Sequence, residues 1–167
     1  NKVTNITTAC FEPALDYVAL KFPRWNLEKF QGVSRRIGTQ MKSVGEVMSL
    51  GRNFEEALQK AIRMLDIGMK GMVCNNIEDL PLEKLKYELS HPTDKRLFLI
   101  SQAMRKGITV DELYELTKID KWFLYKIEHI LEIEDVLKSI SLHTEDKLKI
   151  KTLRYAKKYG FSDGQIA

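Results

Sequence analysis

Between Phe54 and Leu65, apolar residues fall at Phe54, Ala57, Leu58, Ala61, Ile62 and Leu65. That 3.6-residue period predicts an amphipathic helix. Asn53 stands where an N-cap belongs, and Glu55 and Glu56 fill the first turn, where the helix dipole favours negative charge. Ahead of this helix the pattern is strand-like. Ala14 to Phe22 is rich in aromatic and aliphatic residues and stops at Pro23. Ser43 to Leu50 alternates, with Val44, Glu46, Met48 and Leu50 on one face. Two strands make no stable sheet by themselves, so the pattern predicts missing partners.

Gly68 and Gly71 interrupt the pattern, and from Pro81 onward it is helical. Leu82, Leu85 and Leu89 share a face behind Pro81. Thr93 is placed to cap a run to Lys106, with Leu97, Ile100 and Met104 aligned and Gly107 ending it. Thr109 and Glu112 have capping-box spacing before Leu113 and Leu116. Asp120 opens the longest predicted helix, to about Ser139, with Phe123, Ile127, Ile130, Leu131 and Leu137 inward. Thr144 is placed to cap a basic helix ending at Gly160, and Ser162 to cap a helix that has barely begun at Ala167. Residue 1 is Asn rather than Met, so the chain reads as a fragment of a longer protein. The expected fold class is mainly α, with a short strand-containing segment in front.

Composition narrows the function classes. With 167 residues, 44% apolar and 30% charged, the chain is globular and can bury a sizeable core. No apolar stretch approaches a membrane span, so no membrane partner is expected. The net charge of +4 divides into +3 for residues 1–66 and +1 for 67–167, which is no nucleic-acid footprint. Cys10 and Cys74 form no paired motif and suit a reducing, cytoplasmic setting.

The chemistry of the chain is sparse. Its glycines match neither nucleotide-binding fingerprint. His91, His129 and His143 lack metal-ligand spacing and read as surface or helix-flanking residues. Cys10 has no histidine partner in view and reads as a structural thiol. Trp122, Phe123, Tyr125 and Ile127 form an aromatic stripe whose helical spacing points to packing. Glu46 stands out as a carboxylate on an apolar strand face, where it needs a partner, an edge or a polar cavity. It is either a structural ion-pair member or a group facing an internal passage or site. Residues 107–120, followed by the helix from Lys121, have a helix-turn-helix outline, which makes an all-α DNA-binding or interaction module the alternative reading. Its second helix, however, presents Lys121, Trp122, Phe123 and Leu124 and then turns acidic, which suits neither base edges nor phosphates. A helical hairpin used for packing explains the same residues.

Four blocks in order carry a resemblance. They are Thr7 to Val18; Lys21-Phe22-Pro23-Arg24-Trp25; Gln40 to Met48 with Gly51-Arg52 behind it; and Ile119 to Leu124 followed by Lys126-Ile127-Glu128. Together they are similar to the large chain of carbamoyl-phosphate synthase, and the likeness runs through essentially the whole chain. It implies a ligase that makes carbamoyl phosphate from bicarbonate, ATP and glutamine-derived ammonia, for arginine and pyrimidine synthesis. Residues 1–66 would be the C-terminal tail of the first ATP-grasp unit, an α+β domain. Residues 67–167 would be a truncated helical oligomerisation domain.

What the resemblance implies for sites is mostly negative. The family's ATP, metal and bicarbonate ligands lie upstream of residue 1, so no catalytic, ATP-binding or metal residue is expected in this fragment, and the fragment alone should be inactive. ATP and Mg or Mn belong to the parent enzyme. Glu46 maps to a carboxylate lining the family's carbamate passage. Implied partners are the glutaminase small chain and other large chains, with no nucleic acid. Leu97, Trp122, Phe123 and Ile127 are the expected oligomer surface.

Overall fold

The computed structural model describes residues 2–6, 8, 15–140 and 146–167. Its elements run β1 (Val18–Arg24), a 3-10 turn (Leu27–Lys29), β2 (Gly45–Gly51), α1 (Phe54–Met64), α2 (Leu82–Ser90), α3 (Arg96–Arg105), α4 (Val110–Thr117), α5 (Lys121–Ser139), α6 (Asp146–Lys158) and α7 (Asp163–Ile166). The mainly α expectation is met. Cys10, His143 and the Thr144 cap lie outside the described residues.

The strands pair antiparallel, with Lys21 opposite Met48 and Pro23 opposite Glu46. β1 was expected to stop at Pro23 but runs through it to Arg24. In a two-stranded sheet each strand has one unpaired edge, where a residue without an N–H is tolerated. The alternation of β2 is as expected, yet its burial is the reverse of what hydrophobicity suggests. Ser49 and Gly51 are buried, whereas Val44, Met48 and Leu50 are half-exposed or more. Close approach of α1 is the reason. A Cβ on Gly51 would lie 2.9 Å from the Ala57 nitrogen, and the Ser49 hydroxyl donates to the Ala57 carbonyl at 2.7 Å. Small residues face the helix, and the larger apolar ones are left on the open side.

Helix boundaries follow their caps. The Asn53 side chain accepts from the Glu56 N–H, that of Thr109 from Glu112, and that of Asp120 from Trp122. Thr93 is not the cap of α3, which starts three residues later; its hydroxyl accepts from the Lys95 N–H in a turn. The core gathers Leu58 and Ile62 of α1, Leu85 and Leu89 of α2, Ile100 and Ala103 of α3, Leu113 of α4, and Leu124, Ile127 and Ile130 of α5. On α5, Leu124 rather than Phe123 fills the inward position. On α2, Leu82 stays half-exposed because α3 and α4 cover only the Leu85–Leu89 side.

Two clasps hold the strand segment to the helices. The Ile37 N–H donates to the Pro92 carbonyl at 2.7 Å, and the Arg35 guanidinium makes two bonds to the Asp94 carboxylate. At the other end, Gly160 closes α6 at φ +85°, and its α-carbon lies against α1. A side chain there would put Cβ 2.8 Å from the Glu56 Cα. Both the backbone angle and the helix contact therefore require glycine. Gly160→Ala should destabilise the protein by about 2–4 kcal/mol, read as a lowered thermal midpoint. Gly164→Ala, with open space around it, should stay within about 0.5 kcal/mol of the parent.

Candidate functional site

Three places merit a functional reading: the open face around Glu46, a cleft beside β1, and a buried polar junction on α1. Glu46 projects from the open side of β2 with the exposed apolar residues Val44, Met48 and Leu50. Its carboxylate meets Lys21 Nζ at 2.7 Å, and both side chains are more than half exposed. An exposed pair of this kind contributes little stability, about 0–1 kcal/mol. The apolar face that was to surround Glu46 exists, but in this chain it is a surface.

A cleft of about 590 Å³ lies between β1, the segment 65–80 and helices α2 and α3. Phe22, Trp25, Ile77 and Phe98 form its apolar wall, and Arg24, Lys84 and Glu88 stand among its polar groups. The lining contains no His, Cys or Ser among the described residues. Among the described residues no three His, Cys, Asp or Glu side chains converge as a metal site. Burial, reinforced by the neighbouring Glu134 charge, pushes the Cys74 thiol up and disfavours its thiolate, and it donates to Glu134 Oε1 at 3.5 Å.

The junction on α1 was not foreseen. Glu55 and Gln59, one turn apart, are both fully buried. Glu55 Oε1 accepts from His129 Nδ1 at 2.8 Å and from Lys126 Nζ at 3.3 Å. With Nδ1–H given to Glu55, His129 Nε2 is left to accept the Tyr155 hydroxyl at 3.0 Å. Gln59 donates to the Tyr159 carbonyl at 3.2 Å and accepts from Gln165 at 2.9 Å and the Met72 N–H at 3.3 Å. A Cβ on Gly71 would sit 2.5 Å from this glutamine pair. One helix thus bonds to α5, α6, α7 and the 71–72 segment. The signal was available, since Glu55 lies in line with Leu58, Ile62 and Leu65 at helical spacing. Assigning it to the helix dipole hid that alignment.

The expected oligomer surface divides. Trp122 and Phe123 are 51% and 42% exposed, Leu97 is half-buried, and Ile127 is 3% exposed. Ile127 therefore leaves the surface set, because it points into the core beside Leu124 and Ile130. Trp122 and Phe123 stack edge-to-face with Phe54, and Lys126 Nζ lies 5.3 Å from the Trp122 ring centre. Lys121 is engaged by Asp111 at 2.6 Å. The start of α5 is occupied by packing rather than presented to a groove, as the helical-hairpin reading expected. Lys118 takes the left-handed turn position at φ +56°.

The sequence model of the carbamoyl-phosphate synthetase large chain, oligomerisation domain, matches residues 46–167. The multifunctional protein CAD of Squalus acanthias is 50% identical over 167 residues, covering 100% of this chain and 7% of that protein. The mitochondrial carbamoyl-phosphate synthase [ammonia] of Mus musculus is 47% identical over 174 residues, covering 100% of this chain and 11% of its own. The carbamoyl phosphate synthase large chain, N-terminal section, of Aquifex aeolicus is 46% identical over 167 residues, covering 100% of this chain and 29% of that protein. The chain thus spans a minor part of each of these relatives.

Acid should loosen the α1 junction. Burial pushes the Glu55 carboxyl up, but the bonds from His129, its own backbone N–H and Lys126 outweigh it, and it sits below the usual range. Burial likewise opposes, and Lys138 and Arg105 outweigh it, at Glu134. A carboxyl lowered in the folded state stabilises fully above its unfolded value, about 4.3, and loses that contribution as pH falls toward the folded value. Denaturant titrations from pH 7 to 3 should show level stability above about pH 5 and a decline below about 4.3. Glu55→Gln should cost about 1–3 kcal/mol at neutral pH and make the acid decline shallower.

Proposed function

The chain belongs to the carbamoyl-phosphate synthetase large-chain family, and from that premise we propose that it is the segment of a carbamoyl-phosphate synthase that closes the first synthetase unit and mediates oligomerisation. In this reading residues 1–66 close the first ATP-grasp unit, and residues 67–167 form the oligomerisation domain that associates large chains. The whole enzyme would form carbamoyl phosphate from bicarbonate, ATP and glutamine-derived ammonia, and would feed arginine and pyrimidine synthesis. ATP with Mg or Mn would be bound by residues outside this chain. The glutaminase small chain would be its partner, and the cytoplasm its compartment; the mouse relative is named as mitochondrial. Alone, the 167 residues should hydrolyse no ATP.

The observation that carries the reading is the two-sided sheet. One face is sealed by α1. The other shows Met48 at 63% exposure and Leu50 at 50% beside Glu46, an apolar surface of the kind that marks an interaction site. We read it as the surface on which the preceding ATP-grasp unit packs. Glu46 would then stand inside the assembled enzyme as a charged group in an apolar wall, facing the carbamate passage. A carboxylate there would keep the wall hydrated without taking part in bond making. The N-terminal section named in the Aquifex aeolicus relative supports placing the chain in the first half.

Replacing Glu46 by Ala in the full-length enzyme should leave bicarbonate-dependent ATP hydrolysis at its original rate and lower the carbamoyl phosphate formed per ATP. In the 167-residue chain the same change should shift stability by no more than about 0.5 kcal/mol, because the Lys21 pair is exposed. Melting temperature, ATP hydrolysis and product yield measured on one preparation separate the roles. A large fall in melting temperature with unchanged yield per ATP would make Glu46 structural and reject the passage.

A further inference from the structure

Around the cleft beside β1, charged side chains near an opposite charge form pairs, as Arg35 does with Asp94 and Lys106 with Asp79. Some of the groups that line the cleft depart from that pattern. Arg24, Lys84 and Lys95 line it, and none has a carboxylate partner among the described residues. Arg24 Nε donates to the Asn26 side chain at 3.3 Å, and its terminal nitrogens have no acceptor among the described residues. Two carboxylates of the lining, Glu78 and Glu88, are also without an ion pair there. Since Arg35 and Asp94 satisfy each other, the free groups leave a small positive surplus. The wall between them is apolar and partly aromatic. Phe22 and Trp25 meet edge to face with ring centres 6.2 Å apart, and both stay only half-buried. Phe98 of α3 and Ile77 continue the same wall.

We propose that this cleft binds a small molecule with a flat apolar body and a single carboxylate. The ring system would lie along the Phe22 and Trp25 wall, and the free cations would take the carboxylate. Arg24 is the best placed by chemistry, because its planar fork can hold both oxygens. The volume of about 590 Å³ suits such a ligand, since small-molecule pockets run from about 300 to 1,000 Å³ and combine an apolar lining with a few polar groups. Charge selects the class. A monoanion matches the surplus. A phosphate dianion would be opposed by Glu78 and Glu88, and an amine would meet the cations unpaired. The proposal does not depend on the role read for the whole enzyme, and the probes below test it separately.

Position gives the site a consequence. Phe22, Arg24 and Trp25 belong to the strand segment, whereas Lys84 and Phe98 belong to α2 and α3. A ligand that touches both sides would act alongside the Arg35–Asp94 and Ile37–Pro92 clasps. It would hold the strand segment more firmly to the helices, and by mass action it would stabilise the folded chain.

Trp25 is a built-in reporter. The chain has two tryptophans, so Trp122→Phe leaves Trp25 alone. Three probes share one body and differ in charge: biphenylacetate, its neutral amide, and biphenylmethylamine. In the Trp122→Phe chain, biphenylacetate should change the Trp25 fluorescence saturably. Its dissociation constant should be on the order of 0.3 mM, as expected for roughly 16 non-hydrogen atoms of ordinary ligand efficiency. The amide should bind roughly tenfold more weakly, and the amine more weakly still. Arg24→Gln and Lys84→Gln should each weaken the acid by roughly three- to tenfold and leave the amide unchanged. Glu88→Gln should tighten the acid, and Lys151→Gln, away from the cleft, should change nothing. Lys84 is exposed, so its replacement tests the site even where Arg24→Gln disturbs folding, which circular dichroism melts report. With the acid at ten times its dissociation constant, the folding equilibrium should gain about elevenfold, read from the denaturant midpoint. Equal binding of the three probes, or an acid affinity that ignores both Arg24→Gln and Lys84→Gln, would overturn the carboxylate site. So would a fluorescence change without a shift of the midpoint, or no saturable signal from biphenylacetate at about ten times the expected constant.

Discussion

Two polar side chains on one turn of α1, Glu55 and Gln59, are fully buried, and the arrangement of the surrounding helices depends on how they are satisfied. A buried polar group without partners costs about 1–3 kcal/mol, more if charged, so the neighbours that bond Glu55 Oε1 and the Gln59 amide are held in place by that need. His129 and Lys126 fix where α5 crosses. Gln59 takes up the Tyr159 carbonyl, and the Asn53 amide takes up that of Lys158, two of the carbonyls that the end of α6 leaves open. Gln165 and Met72 bring in α7 and the segment ahead of α2. Gly71 and Gly160 are the places where this convergence leaves no room for a side chain.

The same helix explains the surface that bears on function. Because α1 lies so close to the sheet, the residues beneath it are small, and the larger apolar side chains of β2 are on the far side with Glu46. A sheet sealed on one face and apolar on the other fits a segment that continues a larger domain, and the relatives are several times longer than this chain. The open face around Glu46 is thus a result of the same packing constraint that seals the other side of the sheet.

Most of the element plan was legible in the sequence, because it is written in local terms. The caps Asn53, Thr109 and Asp120 and the stops Gly107 and Gly160 act within one helical turn, and the motif blocks carry the family. Side-chain contacts between distant segments were less legible. His129 reads as a surface histidine until Glu55, 74 residues away, is seen against it. Ile127 and Trp122 look equivalent along the aromatic stripe, yet one is core and the other half exposed, since only the position of Phe54 and α1 decides between them. Pro23 looks like a strand end because the free edge that accommodates it is a property of the pair. The face around Glu46 was read correctly as apolar, but which side α1 covers depends on the size of Ser49 and Gly51, a cue weaker than hydrophobicity.

If α1 binds the strand segment and the helices into one cooperative body, hydrogen exchange should report it. Measured by residue under native conditions with increasing denaturant, the slowest amides of α1, α5 and α6 should converge on a single opening free energy equal to that of global unfolding. An opening in which α1 and the two strands exchange together at markedly lower free energy, while α5 and α6 stay protected, would show two separable units and contradict the account.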